Sequence, residues 1–204
     1  MTWSVTTPPT GEPITLAEAK THLRVDADAA AEDALISGLI TAARQHVEDV
    51  CERAVLLQSW TLRLDAFPRV CLGDVRASER GDDRIFLPGG LVSEVTSVKY
   101  TDSDGIEQTL GTGAYIANLP SDPARISPAY GIDWPTARKQ RESVTVVYKV
   151  GYADAASVPA ALKAAMLLIV GDLYANREAS VAGQPLTDNR ALARLLLPYK
   201  RIEP

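Results

Sequence analysis

Apolar residues recur along this chain with two different periods, and the changes of period divide it into three stretches. From Ile14 to Asp26 the segment ITLAEAKTHLRVD sets Leu16, Ala19 and Leu23 at helical spacing. Thr15 stands where a hydroxyl caps a helix. Glu18, three residues on, stands where a carboxylate reaches back to the N–H of the capping residue. A helix of about two turns is not stable alone, so it needs a neighbour. The pattern supplies one after the polar stretch 28–32. From about Ala31 to Arg53 the spacing of Leu35, Leu39, Ala43, Val47 and Val50, widened by Ile36 and Ile40, predicts an amphipathic helix. The short helix is expected to fold back on it.

Near Leu56 the period falls to two. In SWTLRLDAF, Trp60, Leu62, Leu64 and Ala66 alternate with Thr61, Arg63 and Asp65, the mark of a half-buried strand. Further strands are predicted at 84–88, 92–101, 106–110, near 115–117 and near 125–126. ESVTVVYKVGY is the clearest, with Val144, Val146, Tyr148 and Val150 on one face. The turn DSDG (Asp102–Gly105) joins two of these runs as a hairpin. The segment 73–83, GDVRASERGDD, reads as a polar, charged loop.

Helical spacing returns after Ser157, a candidate cap, with Pro159 suited to a first turn. This helix runs to about Arg177 and is apolar on nearly all sides from Ala160 to Val170, so it must be covered all round. It is either the centre of a bundle or shared with another subunit. The stretch SVAGQPL leads to a last short helix, 187–197, stopped by Pro198. There Leu192, Leu195 and Leu196 form an apolar stripe on a helix too short to hold itself. Tyr199, Lys200 and Arg201 follow, an aromatic and two donors that suit the rim of an interface. Residues 1–13, polar and Pro-rich, show no periodicity and read as an extended arm. The layout predicts an α+β fold. A helical bundle is built from both chain ends (14–54 and 153–200), and a mostly antiparallel β domain (55–152) is inserted between them. Strand–helix alternation is missing, which argues against a parallel α/β sheet.

Composition narrows the function. With 204 residues, 46% hydrophobic, the chain is long enough to bury a core. The net charge of −5 lacks the basic surplus of a general nucleic-acid binder. The N-terminus has no apolar stretch of the kind a signal peptide needs, and the run Ala164–Val170 is far too short to cross a membrane. A cytoplasmic site of synthesis follows as the expectation. Cys51 and Cys71 are then read as buried free thiols, with a structural disulfide as the alternative.

The search for chemistry returns little. His22 and His46 have no acidic partner at a catalytic spacing, and two histidines with two cysteines lack paired zinc-ligand spacing. No metal, cofactor or catalytic residue is expected, and the chain is not read as an enzyme. DSDG lacks the further ligands of a calcium loop. The glycines of LPGGL precede a strand rather than a helix, so they build no phosphate cradle. Arg138, Lys139 and Arg141 make one internal basic cluster, with Trp134 nearby as an aromatic able to stack on a base. That cluster supports the alternative reading, a small nucleic-acid-associated or regulatory protein. A solvated loop entering a strand is the plainer account of it.

Four separated stretches, taken in order, carry a resemblance. They are ITLAEAKTHLRVD, then LISGLITAARQHVEDVCERAVLLQSWTLRLDAFP, then WP…SVTVVYKVGYADAASVPAALKAAMLLIVGDLYANRE, and last LARLLLPYKR. Together, over about residues 14–200, they resemble the head–tail connector (neck adaptor) proteins of long-tailed bacteriophages, prophages and gene transfer agents. Lys149-Val150-Gly151-Tyr152 departs slightly from the pattern, as a smaller residue often precedes the Gly-Tyr pair, and the loop 73–83 is longer than the pattern's. The resemblance implies no catalysis and no cofactor. It implies a ring of identical subunits under the portal, usually twelve in the particle, which extends the DNA channel without specific DNA binding. Its implied partners are the portal protein and a tail-side stopper or tail terminator protein; its place is the virion neck, assembled in the host cytoplasm. It adds that the C-terminal end grips the portal, which makes Leu192, Leu195, Leu196, Tyr199, Lys200 and Arg201 the candidate portal-binding residues.

Overall fold

The computed structural model describes residues 1–68, 83–176 and 190–201. The chain is mixed α+β and divides into two compact units. One comprises Met1–Pro8 with Leu57–Gly151, the other Pro9–Leu56 with Tyr152–Pro204. Cys71, nearly all of the loop 73–83, the stretch SVAGQPL and the start of the last helix lie outside the described residues.

The β unit holds two antiparallel sheets among the described residues. β1 (Thr2–Thr7), β2 (Gln58–Leu64), β4 (Val92–Thr101), β5 (Glu107–Thr109) and β8 (Val144–Val150) form a five-stranded sheet in the order β1-β2-β8-β4-β5. β3 (Ile85–Leu87), β6 (Tyr115–Asn118) and β7 (Ala124–Pro128) form a three-stranded sheet in the order β3-β7-β6. In the larger sheet Trp60, Leu62 and Leu64 stand opposite Tyr148, Val146 and Val144. Paired residues share a face, and all of these but the half-buried Leu64 are buried. The other face carries Thr61, Arg63 and Lys149, with ion pairs Lys149–Glu94 and Lys99–Glu107 at 2.8 Å each. DSDG is the tight turn between β4 and β5. Asp102 Oδ1 accepts the N–H groups of Asp104 and Ile106, and Gly105 takes a φ of +89°.

The N-terminal arm corrects the sequence reading. Residues 2–7 are an edge strand of the larger sheet, in register with β2 from Thr2↔Arg63 to Thr7↔Ser59. TWSVTT does alternate, but six residues are too few to mark a strand whose partner lies more than fifty residues away.

The helical unit contains α1 (Leu16–Leu23), α2 (Asp33–Cys51), α3 (Ala160–Ala175) and α4 (Arg190–Leu196) among the described residues. The capping box at Thr15 and Glu18 forms as predicted. The Thr15 N–H donates to Glu18 at 2.7 Å, and this bond first, with the Thr15 hydroxyl second, holds the Glu18 carboxyl below the usual carboxylate range. α1 and α2 both end on left-handed, non-glycine residues, Arg24 (φ 58°) and Glu52 (φ 52°). In each, the next N–H bonds back to the last turn, Val25 to Lys20 O and Arg53 to Glu48 O.

The core of this unit joins both ends of the chain. Ile14, Ala19, Ile36, Ile40, Ala43, Val47 and Cys51 meet Leu162, Ala165, Met166, Ile169, Val170 and Leu196. Cys51 is a buried free thiol, and burial pushes its pKa up. The inward column of α2 is Ile36–Ile40–Ala43–Val47, one residue round from the stripe read from sequence. Leu35 is 41% exposed, and Leu39, like Leu167, is half-buried at the edge of the core. Sequence offered two adjacent columns, and the packing partner decides which faces in. α3, greasy on all sides, lies inside the unit and leaves Leu173 exposed near its end. Ser157 does not cap it. Its N–H and hydroxyl both donate to Asp154 at 2.7 Å, and Pro159 precedes the first turn.

Two buried cations escaped the sequence reading. Lys20, 5% exposed, donates to Ala27 O at 2.9 Å and pairs with Asp33 at 2.5 Å, closing the loop between α1 and α2. Arg44, 7% exposed, pairs with Glu12 at 2.8 Å and Glu48 at 2.7 Å. Glu48 also accepts the Val55 N–H at 2.9 Å, so one cluster fixes both Glu12 and Val55 to α2. Burial opposes the guanidinium charge, but the two carboxylates outweigh it and raise the Arg44 pKa.

Candidate assembly surfaces

The six candidate portal-binding residues divide by burial. Leu196 is 2% exposed and belongs to the core of the helical unit, and Leu192, Leu195 and Tyr199 pack against that core. The Arg201 N–H donates to Cys51 O at 3.2 Å, and its guanidinium lies 3.8 Å from Glu52. Lys200 faces solvent. The apolar stripe therefore docks the segment on its own unit. What it presents outward is Leu197, 68% exposed, with Lys200 beside it. Leu197 was missed because it lies off the helical stripe and next to the helix-stopping Pro198.

A shallow cleft of about 360 Å³ opens beside this segment, lined by Ala42, His46, Leu168, Ile169, Asp172, Leu173 and Leu192. Its walls are mostly apolar. Among the described residues no group of three or more His, Cys, Asp or Glu side chains is placed to hold a metal ion, and no helix is long and apolar enough to cross a membrane.

Trp134 is not available for stacking on a base. It is 7% exposed and lies on Phe67 with ring centroids 4.9 Å apart and planes 12° apart. Its indole N–H donates to Asp83 O, and Phe67 in turn meets Tyr100 edge-on at 5.6 Å. The ring closes an aromatic cluster in the β unit, which leaves Arg138, Lys139 and Arg141 as exposed charges without an aromatic platform. Among the described residues of the β unit the large exposed apolar ones are Met1, Trp3 and Val5 on β1, Leu57, Leu91, Ile106 before β5, Ile116 on β6, and Tyr130 and Ile132 in the turn after β7.

Solved structures share this architecture over the whole chain. The neck of an empty gene transfer agent (GTA) particle, computed with C6 symmetry, contains a chain 22% identical to this one. The match has a TM-score of 0.78 and covers 100% of this chain and 97% of that one. The virion of a native GTA particle gives a TM-score of 0.75 at 22% identity, and the neck of a native GTA particle computed with C12 symmetry gives 0.72 at 20%, with the same coverage. None of the curated proteins matches the chain. The fold is thus that of a chain found in particle necks. Residues 13–110 match the model of the phage gp6-like head-tail connector protein family.

Proposed function

We propose that this protein is a structural head–tail adaptor of a phage or phage-like particle, located in the neck of the virion. The observation that carries the reading is the connector-family match over residues 13–110 together with a fold likeness that spans the entire chain. In this reading copies of the chain form a ring under the portal, twelve in the particle, extending the DNA channel and joining head to tail. The C12 symmetry of one similar neck supports that number. DNA passes without specific binding. The net charge of −5 and the burial of Trp134 both fit a channel wall that does not grip it. The partners are the portal protein on one side and a tail-side stopper or terminator on the other. The function is assembly rather than catalysis.

The portal contact is assigned to the outward side of the C-terminal segment, Leu197 and Lys200, with Leu192, Leu195, Leu196, Tyr199 and Arg201 holding that side in place. Co-purification with the particle's portal protein tests this. Leu197→Asp with Lys200→Glu is expected to abolish portal capture while the helical signal is retained. Portal binding at wild-type strength by that variant places the anchor elsewhere, and no portal binding by the unaltered chain overturns the adaptor reading.

A further inference from the structure

The five-stranded sheet is wider than the three-stranded one, and burial on its apolar face stops between β2 and β1. Trp3 and Val5 stand opposite Leu62 and Trp60 in the register, so all four share that face. Leu62 and Trp60 are 0% and 3% exposed, yet Trp3 and Val5 are 47% and 46% exposed. Trp3 stacks on Trp60, centroids 4.2 Å apart and planes 4° apart, and turns its other face outward. The backbone of β1 is open as well. Among the described residues nothing pairs with its outer edge, and TWSVTT has none of the charges or prolines that blunt such an edge. The opposite edge of the same sheet is guarded. β5 is three residues long and carries Glu107 paired to Lys99.

A second uncharged edge lies in the smaller sheet. β6, YIAN, is one of its two outer strands, with Ile116 55% exposed. Beside it the turn 129–132 is closed by Ile132 N–H to Ala129 O and tied to β6 by Ala129 N–H to Ala114 O. This turn lifts Tyr130 wholly into solvent, with Ile132 46% exposed next to it. The β1 and β6 edges belong to different sheets of the β unit. Residues 110–114 join β5 directly to β6, and the Leu110 N–H bonds to Val98 O. Gly89, just past β3, lies against Trp60 of β2. Two different uncharged, partly apolar surfaces on one unit are what a head-to-tail contact between identical chains requires.

We propose that the β1 edge of one copy receives the β6 edge of the next. The open backbone of β1 pairs with the incoming strand, and Ile116, Tyr130 and Ile132 cover Trp3 and Val5. This inference rests on the ring reading and gives it a subunit contact. The test uses the full chain in sedimentation velocity, alone and assembled on the portal protein. Val5→Glu blocks the receiving edge, and Ile116→Glu with Tyr130→Glu blocks the inserted one. Each variant by itself is expected to lose self-association at least tenfold, with tryptophan fluorescence confirming the fold. Should Val5→Glu not fold, Val5→Thr replaces it. Mixed in equal amounts, the two variants are expected to form a heterodimer that grows no further, because each retains one intact edge. If the β6 variant alone forms dimers, the contact is β1 to β1 and the proposal is wrong. It is equally wrong if both variants assemble to wild-type size, and then the ring reading stands without it. A wild-type chain that never self-associates, even on the portal, overturns both.

Discussion

Gly89→Ala tests how closely the β unit is packed. Gly89 has a φ of +104°, and a Cβ built there falls 2.7 Å from the Trp60 ring. Two terms add. Holding an L side chain at such a φ costs roughly 1–2 kcal/mol, and forcing a methyl group into a packed aromatic costs about 1–3 kcal/mol more. Trp60 has little room to yield, since Trp3 stacks on it and Tyr148 meets it edge-on at 6.4 Å. The Tyr148 hydroxyl is itself bound to Pro88 O at 2.9 Å, next to the altered residue. The expected loss is therefore about 2–5 kcal/mol, or a fall in Tm of at least about 8 °C for a unit of this size. The assay is direct because all three tryptophans, Trp3, Trp60 and Trp134, lie in the β unit. Their fluorescence during urea or thermal unfolding reports that unit and not the helical one. Gly105→Ala is the control. Its φ is +89°, but the added Cβ meets only the end of the Arg138 side chain, which can move aside. It is expected to show the backbone term alone. Equal losses for the two variants would refute the argument that the Trp60 contact matters.

Removing Arg44 strands two largely buried carboxylates. Arg44→Ala is expected to destabilise the helical unit by about 3 kcal/mol in chemical unfolding followed by circular dichroism. Adding Glu12→Gln is expected to recover part of that loss. Lowered carboxyl pKa values at Glu18, Asp102 and Asp154 mean that these groups stabilise the fold fully above the ordinary carboxylate range. Their contribution is lost as the pH falls through that range towards the lowered folded values. Melting curves between about pH 6 and pH 3 are expected to show that decline, made shallower in the helical unit by Glu18→Gln. Finally, Leu56 bridges to Tyr152, and the Tyr152 N–H donates to Val55 O at 3.3 Å. Replacing residues 57–151 by a short glycine linker is accordingly expected to leave a folded helical protein, and loss of the helical signal would argue against independent units.

What could be read from the sequence depended on whether a pattern had one packing solution. Val92–Thr101 and Val144–Val150 emerged at their predicted places because their alternation is long and bounded by turn residues. The capping box was legible because Thr15 and Glu18 satisfy each other locally. α2 was legible as a helix but not in its phase, since Leu35/Leu39 and Ile36/Ile40 are equally apolar columns and α3 makes the choice. β1 was hidden because its alternation spans only six residues and its partner β2 lies far off in sequence. Lys20 and Arg44 were hidden because the carboxylates that allow their burial come from elsewhere in the chain. Trp134 looked like a free aromatic beside arginines, when it closes a buried aromatic cluster of the β unit whose partner Phe67 lies far off in sequence. The stripe Leu192–Leu195–Leu196 was correctly apolar, but an apolar stripe suits the chain's own core and a partner equally well, and the core takes it.

The central claim is that copies of this chain form the ring that joins a head to its tail. Imaging of particles from cells producing this chain with a bulky tag at its N-terminus tests that claim most directly. The account predicts closed rings of tagged subunits in the neck, in contact with the portal and absent from capsid shell and tail tube. Particles whose necks lack the tag, or tag density distributed over the shell or along the tail, would contradict it.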